Sequence, residues 1–297
     1  MVPDRNEEYL LYQTLVGAWP LKVALDNGAR SEFIGRIQQY MSKAVHEAKV
    51  NLSWVNDNPE YLEGLRRFVA TILAPTAQRR SNPFLQQLEQ FVGGIAYPAA
   101  VNSLAQVVLK ITSPGLPDVY RGTELWDFSL VDPDNRRRVD FEIRQHLMRE
   151  LEARSSEDLV EVCDELVRDY RDGRIKLWTT MRALQFRREH ASLFQAGNYI
   201  PLAGAVEKQE HLVAFARATE RDMAIIAVSR LFHTLARTGA HSNENPWGNT
   251  ELILPPAAVG ARLRNVFTGE ELRASTSRAV FCADLFAHFP VALLQLS

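Results

Sequence analysis

The chain has 297 residues, 46% hydrophobic and 24% charged, with a net charge of −2. That length can bury a sizeable core as one large domain or two ordinary ones. Near-neutral charge without a long like-charge block speaks against nucleic acid and against a membrane surface as partner. Cys163 and Cys282 are the two cysteines, far apart and each beside apolar residues, which reads as two buried free thiols. No uninterrupted apolar stretch approaches the roughly 20 residues of a membrane helix. The N-terminus has no apolar signal region, so a cytoplasmic protein is expected and the Asn51-Leu52-Ser53 glycosylation pattern carries no weight.

From Glu8 to about Lys110 the pattern is helical. Phe33, Ile34, Ile37, Tyr40, Met41, Ala44, Val45 and Ala48 recur at three- and four-residue steps, one apolar stripe with Ser31 as its N-cap. Lys43 and Glu47, four residues apart, can pair on the polar face. A second helix is expected from Pro59, a good first-turn residue, to about Ala74. A third apolar stretch from Pro83 contains Gly93-Gly94 and Pro98, which should break it in two.

Thr112 to Phe141 is dense in turn, aromatic, acidic and guanidinium residues. Its first part, Thr112 to Gly122, reads as a short strand. A strand after a long helix, followed by a polar loop and another helix, is one unit of a parallel (β/α)8 barrel. Helices resume with a capping box at Ser155 and Asp158, with Leu159, Val160, Val162, Cys163, Leu166 and Val167 as the buried face and Gly173 as the stop. After about Gly197 the runs "HLVAFAR", "MAIIAVSR", "TELILP", "LRNVF" and "VALLQLS" are short, branched and separated by turns. They describe an antiparallel β domain.

The chain has no G-x-G-x-x-G, no P-loop, no H-E-x-x-H and no C-x-x-C. Its seven histidines are scattered. Asp132, Asp134 and Asn135 lack the glycine and distal glutamate of an EF-hand calcium loop. No metal and no cofactor is therefore expected. The loop Asp132-Pro133-Asp134-Asn135-Arg136-Arg137 is the best local candidate for binding, because carboxylates and guanidinium groups bond vicinal hydroxyls directionally. An internal salt-bridge network explains the same composition. Trp126 and Trp247 read as packing residues.

"PGLPDVYRGTE" resembles the last-strand motif of the α-amylase superfamily of glycoside hydrolases. It shares the Gly115, Pro117, Tyr120, Gly122 and Glu124 positions, with Arg121 in place of a second tyrosine. The extension "LWDFSLVDPDNRRRVDF", with "EYLLYQTLVGAWP", "YMSKAVHEAKVNLSWVNDNPEY", "LFQAGNYIPL", "PWGNTELILP" and "NVFTGEEL", is similar to the maltooligosyltrehalose synthase family. That resemblance implies an α+β, multi-domain C-terminal portion. Residues 1–110 would be a helical subdomain inserted before the last barrel strand, 111–196 the end of the (β/α)8 barrel, and 197–297 a β-sandwich.

It also implies conversion of the reducing-end α-1,4 linkage of a maltooligosaccharide into an α,α-1,1 linkage by retaining chemistry, with two carboxyl groups about 5–5.5 Å apart. None of the family's catalytic carboxylates maps onto this chain. They are expected upstream, so the isolated chain is expected to be inactive, its partners being the remaining barrel and the maltooligosaccharide. Lys43, Lys49 and Trp54 would lie near sugar, with Trp54 stacking on it, although a solvated helix face and a core tryptophan explain the same residues. Gly115, Pro117 and Gly122 shape the strand exit. Tyr120 reads as a buried aromatic or a sugar contact, and Glu124 as a buried carboxylate that needs a partner. Two alternatives stand beside this reading: another α-glucan hydrolase or transferase of the superfamily, and a non-catalytic carbohydrate-binding or subunit-interaction protein.

Overall fold

The computed structural model describes residues 2–21, 26–74, 82–239, 245–275 and 278–296. They fall into two compact units: Met1–Ala96 with Asp127–Val139, and Tyr97–Trp126 with Asp140–Ser297. This grouping differs from three consecutive segments at two places. The polar loop Asp127–Val139 belongs with the N-terminal helices, and the chain from Tyr97 onward belongs with the second unit.

Unit 1 is helical. Helix α1 (Arg5–Ala18) opens with a capping box, Asp4 accepting from the amides of Asn6 and Glu7 while Glu7 accepts from the Asp4 amide. Helix α2 (Asn27–Ala48) starts at Asp26, whose carboxylate accepts from the Ala29 amide. The N-cap is therefore upstream of the expected Ser31, because a helix extends beyond its apolar stripe until a side chain satisfies its free amides. Of that stripe, Phe33, Ile37, Met41 and Val45 are buried. They pack with Leu11 and Leu15 of α1 and with Leu65, Val69 and Leu73 of α3 (Pro59–Leu73). Asn51 is tied by its amide to Asp4, Glu7 and the Tyr61 hydroxyl. Residues 22–25 and 75–81 of the helical reading lie outside the described residues.

Helix α4 (Pro83–Thr112) is continuous through Gly93-Gly94 and Pro98, against the expected break. Proline clashes with the carbonyl four residues earlier. Here that residue is Gly94, which has open space around its Cβ position and no side chain to resist a local adjustment. Among the described residues α4 is the one helix long and apolar enough to cross a membrane by length and composition, with 44% of the qualifying window buried. The expectation that no stretch approaches that length considered only uninterrupted apolar runs.

The expected strand from Thr112 to Gly122 is absent. Residues 111–112 complete α4, and 116–120 run without a ladder. A strand needs a neighbour for its amides and carbonyls, and among the described residues none is paired with this segment. Helices α5 (Phe141–Ala153), α6 (Leu159–Arg168), α7 (Arg174–Glu189) and α8 (Ala191–Ala196) follow. The α6 N-cap is Asp158 alone, accepting from the Val160 amide. Ser155 sits in a preceding 3-10 turn. Gly173, at φ 86°, ends the 3-10 turn Tyr170–Asp172 and leads directly into α7.

The β region holds β1 (Asn198–Leu202), β2 (Gly204–Ala205), β3 (Leu212–Ala218), β4 (Met223–Ser229), β5 (Glu251–Ile253), β6 (Arg262–Asn265), β7 (Glu271–Arg273), β8 (Ala279–Phe281) and β9 (Val291–Leu296), with short helices α9 (Phe232–Gly239) and α10 (Cys282–Leu285). A six-stranded sheet has the order β1-β3-β4-β9-β6-β7, and a three-stranded one β2-β5-β8. The pairings are antiparallel. Ile226, Val228, Val291 and Leu293 share a cluster with Trp178 and Phe186 of α7. Ile225, Ala227, Ala292 and Leu294 share one with Leu252 of β5 and Val280 of β8. The central strands are thus covered on both faces, which is why "MAIIAV" and "VALLQL" are continuous apolar runs rather than alternating ones. Both cysteines are buried and free, and burial pushes each thiol up to about 12.

At the entrance to β1, a Cβ on Gly197 would stand 2.2 Å from the Leu193 carbonyl oxygen and 3.2 Å from that of Ala218. Both are backbone atoms that no side-chain rotation can clear. Gly197→Ala should therefore destabilise unit 2 by about 1–3 kcal/mol, read as a lowered urea midpoint with unchanged slope.

Candidate functional site

Helix α2 presents two faces. One is the buried stripe; the other carries Gly35, Gln38, Gln39, Ser42 and Lys43, again at helical spacing. With Trp54, Arg66 of α3 and Pro133, these residues line a cavity of about 410 Å³ in unit 1, within the usual range of ligand pockets. Its lining is mostly amide, hydroxyl and cationic, with one large ring.

That ring is Trp54, 62% exposed. One side of it is backed by His46, stacked at 4.0 Å between centroids and 14° between planes, and its Nε1 donates to Glu47 Oε1 at 3.3 Å. His46 is only 5% exposed. Its Nδ1 lies 2.6 Å from the Ser42 carbonyl oxygen and its Nε2 3.3 Å from Asp57 Oδ1. The tryptophan is thus a flat, open surface on a fixed base. Glu47, expected to pair with Lys43, serves the indole instead.

Lys43 Nζ donates to the Asp132 carbonyl oxygen at 3.0 Å, which leaves its other N–H groups for further acceptors. The loop it touches is built around Asp134, 7% exposed. Arg36 of α2 binds that carboxylate through Nε and Nη2, both at 2.9 Å, and donates from Nη2 to the Phe128 carbonyl at 2.8 Å. The Leu130 amide donates to it at 2.7 Å, and Arg137 Nε stands 3.1 Å away. Burial opposes the charge, but the Arg36 bonds, the Leu130 amide and the two guanidinium charges outweigh it, holding Asp134 below the usual carboxylate range.

The candidate residues therefore separate. Lys43, Trp54 and the Asp132–Pro133 corner come together. Asp134 has its acceptors engaged inside the protein and is no free sugar contact. Asp132 is held below the ordinary range first by its bond to Arg136. Arg137 is shared among Asp134, Ser129 and Glu32. Asn135 is half-buried, its Oδ1 without a partner among the described residues. The salt-bridge network, not open sugar-binding groups, accounts for most of this loop. Lys49 is exposed in the left-handed conformation that ends α2, outside the cavity lining. Gln38, Gln39, Ser42 and Arg66 went unnoticed in the sequence, although the period that revealed the buried stripe of α2 also sets Gln38, Gln39 and Ser42 on one face with Lys43.

The superfamily-like segment lies in unit 2. Gly115 and Gly122 have φ of 110° and 90°, a region that glycine alone adopts freely. Glu124 Oε2 accepts from Arg144 Nε at 3.1 Å, and Arg144 also donates to the Gly122 carbonyl at 2.7 Å, so the carboxylate has the partner it needs. Pro117 is half-buried. Tyr120 is 52% exposed rather than buried and lines a separate cleft of about 280 Å³ with Lys110, Asp118 and Lys176. Trp126 donates to the Tyr170 carbonyl at 2.6 Å. Among the described residues no three His, Cys, Asp or Glu side chains cluster as metal ligands.

No family model matches the chain. It is 31% identical over 292 residues, 98% of its length, to a Mycobacterium tuberculosis protein that carries the name maltooligosyl trehalose synthase. The solved maltooligosyltrehalose synthase of Arthrobacter ramosus is 33% identical over 98% of the chain, with a TM-score of 0.76. A further maltooligosyl trehalose synthase structure is 29% identical over 100% of the chain, with a TM-score of 0.72. The chain spans only about a third of these proteins: 32% of the first two and 34% of the last. Over nearly its whole length it resembles proteins of that name, which is where its motifs point.

Asp134→Asn should cost unit 1 about 3 kcal/mol at neutral pH, because it leaves Arg36 buried without its counter-charge. The sign of the pH effect follows from the lowered value. The carboxylate's contribution is complete above the ordinary aspartate value of about 3.9 and is lost as pH falls through the depressed folded value. Urea unfolding across acid pH should show that loss in the parent and a flatter profile in the variant.

Proposed function

We propose that this chain is part of a maltooligosyltrehalose synthase, the enzyme that moves the reducing-end α-1,4 linkage of a maltooligosaccharide to an α,α-1,1 linkage. In this reading unit 1 holds the glucan and the chemistry is done by carboxylates outside the chain. The observation that carries it is the cleft in which an open indole face meets Lys43, Gln38, Gln39 and Arg66. A glucose ring has an apolar C–H face suited to an aromatic ring and an equatorial rim of hydroxyls suited to amide and cationic donors.

Lys43 donates to a backbone carbonyl, which leaves its other N–H groups for sugar oxygens. The finer fold belongs to the same proposal. Residues 111–196 would be the end of a (β/α)8 barrel, its last strand pairing only with strands from outside this chain, and the sheets after residue 197 would form a sandwich. Two-sided coverage of β4 and β9 supports the latter.

Reducing-end loss from maltopentaose is the direct test. The complete protein should show it and the 297-residue chain alone should not; conversion by the chain alone would sink the proposal. In the complete protein, Trp54→Ala should raise KM by about tenfold, roughly 1.4 kcal/mol of lost binding, with a smaller effect on kcat. Unchanged KM would remove Trp54 from the sugar site.

A further inference from the structure

Unit 2 holds another cavity, about 230 Å³, which the proposed function does not use. Aromatic pairs form its walls. Tyr97 and Phe232 meet edge to face, 5.7 Å between centroids at 77°. Trp247 and Phe286 stack at 4.9 Å and 21°. The lining also includes residues that a packed apolar core does not collect: Asp164, His288, Asn245 and Ser229.

Ser229 is 3% exposed at the end of β4, and its Oγ has no hydrogen-bond partner among the described residues. A buried hydroxyl left unmatched is destabilising, so one at a cavity wall points to a ligand oxygen as its partner. His288 Nδ1 lies 3.0 Å from Asp164 Oδ1, and its Nε2 3.8 Å from Glu270 Oε1. The imidazole is held between two carboxylates. Asp164 has four acceptor sites and His288 uses only part of them.

We propose that this cavity is a second carbohydrate site, taking one neutral pyranose ring between the aromatic walls, with Asp164 and Ser229 bonding its hydroxyls. The chemistry excludes the other small-ligand classes. An anion would face the Asp164 carboxylate, and a purely apolar ligand would leave Ser229 unmatched. A cation would find one carboxylate in the lining, Asp164, and that one is shared with His288. A polyhydroxylated ring satisfies every group, since each hydroxyl both donates and accepts. The volume, little more than half that of the Trp54 cleft, suits a single ring. That ring is either a free hexose or the terminal unit of an α-glucan. No residue is shared with the Trp54 cleft, so the two sites stand or fall separately.

The test is calorimetric titration of the 297-residue chain with glucose and with maltotriose, using Trp54→Ala, Asp164→Asn and Ser229→Ala. Trp54→Ala should retain saturable binding, and Asp164→Asn should weaken that binding by at least about tenfold. Ser229→Ala should leave the Tm of the free chain unchanged or raised, since it removes an unmatched hydroxyl, yet shrink the rise in Tm that sugar produces. Equal affinity for the two sugars identifies a free hexose; tighter maltotriose identifies a glucan end. No saturable binding in Trp54→Ala, or undiminished binding in both Asp164→Asn and Ser229→Ala, overturns the site. Loss of nothing in Trp54→Ala would instead count against the Trp54 cleft alone.

Discussion

The cleft of unit 1 depends on the pair between Arg36 and Asp134. A single guanidinium binds both carboxylate oxygens and the Phe128 carbonyl, so one residue of α2 fixes the loop by its middle and by its start. Lys43, two turns further along the same helix, takes the Asp132 carbonyl. The planar fork of arginine makes such a bidentate grip directional. A loop composed of turn residues and charges of both signs would otherwise have many conformations of similar energy. Desolvating the pair is expensive, and the expense is met by four donors around Asp134, so the loop is held in one shape beside the polar face of α2.

Unit 2 uses the same chemistry on backbone oxygens. The last carbonyls of α4 have no intrahelical partners and carry the negative end of its dipole. Arg187 donates to the Ile111 and Gly115 carbonyls, and Arg217 to those of Thr112, Phe194 and Gly197. Arg217 is almost wholly buried in β3. Burial lowers its affinity for its proton, and the Arg187 charge adds to that effect. Its partners among the described residues are three carbonyls, each contributing a partial negative charge. The ends of α4 and α8 and the entrance to β1 thereby meet at one cation, and at that entrance the Leu193 and Ala218 carbonyls leave Gly197 no room for a side chain.

Legibility in the sequence followed the range of the interactions. Apolar periodicity located α2, a first-turn proline located α3, and short branched runs between turn residues located β3, β4 and β9, because each of these signals lies within a few consecutive residues. The N-cap at Asp26 and the continuity of α4 through Pro98 depend on one neighbouring residue each, and pattern alone put the first boundary too late and a break in the second. Segment 112–122 has strand composition but no partner among the described residues, and pairing is a property of two chains of atoms, not of one. Asp134 was legible as a charged loop residue and illegible as a buried one. Its partner is 98 positions away, and nothing local distinguishes a carboxylate that meets sugar from one that meets an arginine. Lys43 and Trp54 came from the resemblance and ended in one cavity; Lys49, from the same motif, did not.

The tryptophans show what separates a packing ring from a binding ring. Trp178 is buried among apolar side chains, where it adds its large area to the core. Trp54 leaves most of its surface in water, a loss of burial worth about 25 cal/mol for every Å² exposed. Selection for stability alone would turn the indole inward or replace it. Instead the protein supplies a buried imidazole beneath it and a carboxylate to its N–H, two groups that fix the orientation of the ring without covering its outer face. Orientation is worth such an arrangement where a flat apolar face packs against the ring, which is the role the proposed function gives Trp54, with Gln38, Gln39 and Lys43 beside it in the same cleft.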